Sequence, residues 1–382
     1  FFKNENYHIT IASTADNSMV KESDFEGIEL ASIRLNHSSF DEFVSKLCPD
    51  IVLFDRFMAE EQFGWRVAER APNALRILDT EDLHSLRKAR EQALATDQDF
   101  STELWLNNEL TKREIASIYR SDLSLIISSY EIILLQPIIK EHESLLLHLP
   151  FMVGRLDELA MEKWKPFEKR KDFVFIGFGG HAPNVDAISY LNTAIWPVVR
   201  AALPAAKVNI YGGNFPEEIH QMNDPATGFL VKGWVEDAKT VIESARVMLA
   251  PLRFGAGLKG KLLDAMRYGT PSVTTSIGAE GMHGTFDWTG KICEGPKVFA
   301  DAAVALYGHK EEWERCQKNA VGIVNSIYDR ESLGTTLGLR IKSLRENLTE
   351  HRAKNFIGAM FRHQTLASTK YMSKWIEEKN RK

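Results

Sequence analysis

Lys259 and Lys261 follow Gly255 and Gly257 in the segment GAGLKGKLLDAMRYGTPSVTT, and this spacing is the densest chemical signal in the chain. The glycines close a short apolar run, residues 247–250, that reads as a buried strand ending at Pro251. Leu258, Leu262, Ala265 and Met266 then recur at helical spacing until Gly269 and Pro271 stop the pattern, and residues 272–275 open a second β-branched strand. Cations in a first helical turn oppose the helix dipole, whereas free backbone N–H groups at a glycine-flanked helix start favour an anion. The unit therefore reads as a phosphate or diphosphate site. The competing reading is a solvated helix start in which Asp264, three residues after Lys261, forms a surface ion pair of about 0.3 kcal/mol.

Two further clusters follow strand-like runs. Asp79-Thr80-Glu81-Asp82-Leu83-His84 comes directly after the apolar stretch 75–78. Asp79 or Thr80 can cap the next helix, which carries Leu83, Leu86 and Arg87, but a cap accounts for one residue and not for the cluster. His84 is suited to carry a proton or donate a hydrogen bond near neutral pH. Gly177-Phe178-Gly179-Gly180-His181 follows the run 173–176, and Pro183-Asn184 opens a helix. It lacks the full dinucleotide fingerprint, and a tight turn explains it equally well. Gly179 and Gly180 would let backbone approach a ligand, with His181 in reach.

The elements that must position these groups alternate. Runs 7–13, 51–54, 75–78 and 123–129 read as short buried strands separated by helical patterns at 40–47, 62–70 and 104–119. That order favours an α/β fold with a mostly parallel sheet and ligands at the carboxyl ends of its strands. MEKWKPFEKRKD, residues 161–172, is charged and poor in aliphatics and reads as a linker. Strands at 173–176, 207–211 and 229–232, a helix at 238–245 and the lysine unit then spell a second doubly wound domain. Trp234, after Gly233, is expected to pack near the sheet's edge. Glu280 lies in the glycine-bounded loop Gly278-Ala279-Glu280-Gly281, where it either contacts a ligand hydroxyl or is exposed. Helical patterns occupy 297–307, 311–328 and 331–345. A basic segment, 351–382, carries Phe356, Met360, Phe361, Tyr371 and Trp375 and reads as an amphipathic tail packed on the protein. Such a tail could instead touch anionic lipid.

Composition sets limits. With 382 residues, 44% of them hydrophobic and 26% charged, the chain can bury two cores. A net charge of -5 argues against a general drive toward nucleic acid. Cys48, Cys293 and Cys316 are distant from one another and show no CxxC spacing, so neither a disulfide framework nor a zinc site is expected, and a reducing, cytoplasmic compartment is the default. The richest apolar stretch, 123–139, is broken by Ser128, Ser129, Glu131, Gln136 and Pro137 and reads as a strand followed by a helix.

GAGLKGKLLDAMRYGTPSVTTSIGAEGM resembles the donor-site segment of family four glycosyltransferases, the bacterial-type subset with a GxGxKxK loop and a GxEG turn. LDTEDLHSLRKAR and FVFIGFGGHAPNVDAISYL are similar to two further stretches of that subset, and the likeness runs from about Asp50 to Arg330. The resemblance implies the GT-B architecture, two Rossmann-like domains facing across a cleft with a C-terminal helix crossing back to the first. Boundaries then fall at 1–160 for the acceptor-side domain, read as lacking its first strand, 161–172 for the linker, 173–345 for the donor domain and 346–382 for the tail. It implies a hexosyltransferase-type, metal-independent enzyme without a cofactor, which moves a sugar with retention from a nucleotide-sugar to a glycan, a lipid-linked glycan or another acceptor, as in polysaccharide biosynthesis. A nucleotide-sugar epimerase of the same fold and a non-catalytic nucleotide-sugar binding protein are the alternatives. Catalytic roles fall to His84, Asp82 and Lys261. Donor contacts fall to Gly179, Gly180, His181, Trp234, Gly255, Gly257, Leu258, Lys259, Lys261, Asp264 and Glu280, the nucleobase lying near Trp234. The family often has a donor-sugar glutamate where this chain has Ala256, and its helix acid is usually Glu where this chain has Asp264.

Overall fold

The computed structural model describes residues 1–15 and 26–381, so part of the first expected domain and Lys382 of the tail lie outside the described residues. Strands β1 (Thr10–Ser13) and β2 (Glu29–Ser32) form a small parallel pair. The buried strand expected at 7–13 is thus short, and Ile11 and Leu30 are exposed. Strands β3 (Ile51–Asp55), β4 (Leu75–Asp79), β5 (Leu123–Ile126) and β6 (Leu146–His148) make a four-stranded parallel sheet in that order. A second, six-stranded sheet holds β7 (Phe173–Ile176), β8 (Val208–Tyr211), β9 (Phe229–Gly233), β10 (Val247–Ala250), β11 (Ser272–Thr274) and β12 (Gly290–Ile292), in the order β12-β11-β10-β7-β8-β9.

Apolar runs become strands here because both sheet faces are covered. Alternate residues of β7 point opposite ways, Phe173 and Phe175 into one core and Val174 into the other. In β10, Val247 and Leu249 join the first of these cores, Met248 and Ala250 the second. The strand order reverses between β7 and β10, so the loops leaving them diverge and open a crevice at the carboxyl edge. Those two loops are GFGGH and PLRFGAGLK.

Residues 161–172 are docked on the second unit beside the lysine helix. Trp164 Nε1 donates to Arg267 O at 2.9 Å. Arg170, fully buried, donates to Lys165 O, Thr270 Oγ1 and Tyr268 O at 2.7, 2.6 and 2.8 Å, and burial pushes its pKa down to about 10. Helix Arg330–Glu346, read from sequence with the second unit, lays Leu337, Ile341 and Leu344 against Leu75, Ile77, Leu123 and Leu125 of the first sheet. Helices Leu348–Lys354 and Phe356–Asn380 continue over that unit, where Arg352 pairs with Asp122 at 2.7 Å and Glu377 with Arg66 at 2.6 Å. Among the described residues no helix is long and apolar enough to cross a membrane.

Candidate active site

Helix Gly260–Arg267 begins at the mouth of the crevice, with Lys259 as its N-cap. The Lys261 ammonium donates to Asn184 Oδ1 at 2.6 Å and lies 4.1 Å from the centre of the Phe175 ring. Asn184 is in turn fixed through its amide, which donates to Phe178 O at 2.9 Å. Lys261 therefore belongs to a built pocket and not to a solvated helix start. Its expected surface partner is taken elsewhere, since Asp264 pairs with Arg267 at 3.0 Å. Among the described residues no carboxylate offsets the desolvation of Lys261, and burial pushes its pKa down to about 7. Lys259 is buried, donates to Gly257 O at 2.8 Å and is pushed down to about 8 by the same cause. Burial raises the Asp264 carboxyl above its ordinary range.

The opposite wall comes from the loop after β4. Asp82 accepts from Arg87 Nη1 and lies 3.2 Å from His84 Nε2, an arrangement that places the proton of the neutral ring on Nε2. Phe57 meets the His84 ring edge-on at 5.8 Å. Burial first, then the nearby Arg87, lowers the pKa of His84 despite the opposing pull of Asp82. The two leading backbone N–H groups of helix His84–Ala95 are capped from outside the helix, since Glu114 accepts from His84 N at 2.7 Å and from Ser85 N at 2.9 Å. That buried carboxyl is raised to about 7 by desolvation.

Three contacts join the walls. Glu131 Oε1 accepts from Leu83 N at 3.0 Å and from Gly257 N at 2.8 Å. Arg90 spans to Glu280 with bonds of 2.8 and 2.7 Å and donates to Gly255 O at 2.9 Å. Gly257 has φ +61°, and a Cβ there would lie 2.7 Å from Asp82 Cβ, so only glycine fits between the loops. Gly179 is similarly enclosed, a Cβ meeting Asn214 O at 2.4 Å, while its N–H donates to Gly213 O at 2.8 Å. Gly180 lies under the Phe178 ring. His181, half-buried, faces this centre, and burial followed by repulsion from Arg87 brings its pKa down to about 4.

The structure thus gathers Asp82, His84, His181, Lys259, Lys261 and the glycines 179, 180, 255 and 257 around one crevice. Three residues differ from expectation. Trp234 is 72% exposed, because Gly233, at φ +73°, turns the chain out of β9 and leaves the indole over the Gly212–Gly213 turn. The Glu280 carboxylate, only 14% exposed, is bound by Arg90 and is neither a free ligand contact nor a surface group. The Leu258 side chain is buried in the second unit's core. Ala256 packs against the first unit's core. Asn184, Arg90, Glu114 and Glu131 were not picked out for the site from sequence. Glu131 had a signal, a lone carboxylate inside the apolar stretch 123–139. Arg90 and Glu114 sit among other charged helix residues and had none.

Residues 170–309 match the family model described as Glycosyl transferases group 1. No curated protein sequence matches the chain. Solved structures similar to it include a variant of S. aureus TarM bound to fondaparinux, alpha-GlcNAc-glycerol and UDP, at 14% identity and a TM-score of 0.60, covering 79% of this chain and 58% of TarM. This chain therefore spans less than two thirds of TarM's length. Sucrose-phosphate synthase of Thermosynechococcus elongatus is similar at 14% identity and a TM-score of 0.64, with 90% of each chain covered. Anabaena HepE, in complex with UDP and glucose, is similar at 11% identity and a TM-score of 0.61, covering 88% of this chain and 92% of its own. The fold is GT-B, two Rossmann-like domains with parallel sheets.

Proposed function

We propose that the protein is a glycosyltransferase that takes a hexose from a nucleotide-sugar on its second domain and passes it, with retention at the anomeric carbon, to an acceptor lying along the first. The observation that carries this reading is the placement of Lys261 at a helix N-terminus in the crevice, facing the Asp82–His84–Arg87 cluster. Cleavage of a sugar–diphosphate bond leaves charge on the diphosphate. Lys261, Lys259 and the N–H groups opening helix Gly260–Arg267 meet that charge without reorganisation, so the proposed reaction needs no metal or cofactor. His84, held by Asp82, faces the sugar side, and the acceptor is a glycan or lipid-linked glycan. The family match over 170–309 supports the donor half of this reading.

One feature favours a second reading, that of a non-catalytic nucleotide-sugar binder. Ala256 supplies no carboxylate, and Arg90 occupies that of Glu280. A thermal-shift panel of UDP, GDP, ADP and their sugars tests both, UDP first because TarM and HepE hold it. A ligand at a hundred times its Kd stabilises by about 2.7 kcal/mol. No shift with any nucleotide sinks both readings. Sugar transfer to an acceptor separates enzyme from binder, and a changed sugar epimer without acceptor would indicate an epimerase.

A further inference from the structure

Helix Phe356–Asn380 roofs a cavity of about 500 Å³ at the end of the first sheet opposite the crevice. Its lining includes Arg76, Arg352, Arg362, His363, Lys370 and Glu69. Arg76 is the second residue of β4, and Asp122, beside it, directly precedes β5, so both lie at the amino ends of their strands. A smaller cavity of about 320 Å³ adjoins it and shares Arg76 and Arg362.

The charges here do not balance. Asp122 accepts from Arg76 and from Arg352, the latter at 2.8 and 2.7 Å, so one carboxylate serves two guanidiniums. Lys370 pairs with Glu69 at 2.6 Å. Arg362 donates to Arg120 O at 3.2 Å and, among the described residues, forms no ion pair with a carboxylate. Among the described residues, the four cations that line this open cavity thus share two carboxylates, and the Arg362 guanidinium makes one hydrogen bond, to Arg120 O, from its five N–H donors. Burial first, then repulsion from Arg76, pushes the Arg362 pKa down to about 10 against the opposing pull of Asp122 and Glu60.

We propose that this cavity is a binding site for a phosphate-class oxyanion, gripped by Arg362 with Arg352, Arg76 and Lys370. A guanidinium fork matches the tetrahedral oxygens of phosphate, and the pre-paired Asp122 holds two of the forks in place. Either a soluble phosphorylated compound or a lipid headgroup supplies this chemistry. The same helix exposes Phe356, Met360, Tyr371 and Trp375 along its length, together with Lys374 and Lys379, and Tyr371 also lines the cavity.

The test titrates inorganic phosphate against the intact chain at constant ionic strength, reading Tm, in the natural protein and in Lys261→Ala, Arg362→Gln and Lys370→Gln. Lys261→Ala removes the crevice as a competing phosphate site. Flotation with neutral phosphatidylcholine vesicles and with vesicles containing phosphatidylglycerol forms the second arm. The expected result is a saturable Tm rise that survives Lys261→Ala, whose half-saturation moves at least tenfold higher in Arg362→Gln and Lys370→Gln, while the UDP response of both variants is unchanged. Flotation restricted to anionic vesicles and lost in the same two variants also upholds the site and identifies the source as a headgroup. A rise that vanishes in Lys261→Ala, binding of neither probe, or binding undiminished in both Arg362→Gln and Lys370→Gln overturns the proposal.

Discussion

Glu131 of the first domain accepts the Gly257 N–H of the second at 2.8 Å, and the same oxygen holds Leu83 N at 3.0 Å. One carboxyl oxygen therefore sets the spacing between the His84 loop and the lysine loop. Its partner Oε2 has no hydrogen-bond partner among the described residues, which leaves that oxygen to carry a proton.

Removing the latch should loosen the lysine loop before it affects chemistry. Glu131→Gln keeps an acceptor for both N–H groups, whereas Glu131→Ala leaves them buried and unpaired. We expect Glu131→Ala to weaken nucleotide-sugar affinity about tenfold, the worth of roughly one net hydrogen bond, with Glu131→Gln within about threefold of the natural protein. Calorimetric titration of both variants decides it, and equal losses would show that the acceptor oxygen does not matter.

The same residue predicts a pH dependence of stability. Burial raises Glu131 from 4.5 to about 8, so between these values the folded chain retains a proton that the unfolded chain releases. Stability must then fall as pH rises through that window, by at most about 1.4 kcal/mol per unit from this group. Glu114, raised to about 7, adds a slope of the same sign. Urea unfolding of Glu131→Gln from pH 5 to 8 should give a flatter profile than the natural protein; a parallel profile would rule out Glu131 as a contributor.

Lys261 should make nucleotide binding proton-linked. With its pKa near 7, the free side chain is about half charged at neutral pH, and a diphosphate selects the charged form. Affinity is full below pH 7 and falls as pH rises through it, by up to tenfold per unit until the pKa of the complex is reached. Lys261→Ala should weaken UDP binding by about ten- to a hundredfold, as expected for loss of a charge-assisted hydrogen bond. It should also remove the slope near pH 7 and leave the part due to Lys259, at about 8. Proton uptake measured by calorimetry in two buffers checks the linkage.

The legible part of this molecule was what repeats along the chain. Apolar runs at 75–78, 173–176 and 247–250 became β4, β7 and β10, and the glycine and lysine spacing marked the loops that leave the second sheet. Pairings across large sequence separations were not legible, since no local pattern reveals that Arg90 will meet Glu280 or that Glu131 will meet Gly257. The expectation for Trp234 failed for another reason. Its packing near the sheet's edge was read from residue type, while a positive φ at Gly233 decided where the indole points. Helix Arg330–Glu346 shows the same limit, its apolar face being equally suited to either domain.

Substitution of His84 should separate turnover from binding. Burial keeps its pKa below the ordinary 6.5, so the ring is neutral at pH 7 and takes up charge only on acidification. Turnover should therefore fall on acidification below that ordinary value. His84→Ala should lower kcat about a hundredfold, within the range for a lost proton-transfer or hydrogen-bonding group, and change nucleotide Kd less than threefold. A variant that loses binding and keeps kcat would reassign His84 to the donor side.

Trp234 is a large aromatic at the crevice rim, 72% exposed over the Gly212–Gly213 turn. An exposed indole at the carboxyl end of a strand offers a face on which a nucleobase can stack, and such stacking is worth about 1–3 kcal/mol per base. Trp234→Ala should then weaken UDP by roughly ten- to a hundredfold and leave inorganic pyrophosphate, which has no base, unaffected at Lys261. Lys261→Ala should weaken both ligands. Because the indole contributes little to either core, the variant's Tm without ligand should stay within about 1 °C of the natural protein, consistent with a surface substitution. Equal effects of Trp234→Ala on UDP and pyrophosphate would mean that the indole shapes the phosphate loop, and the base would then have to be sought elsewhere along β8 and β9.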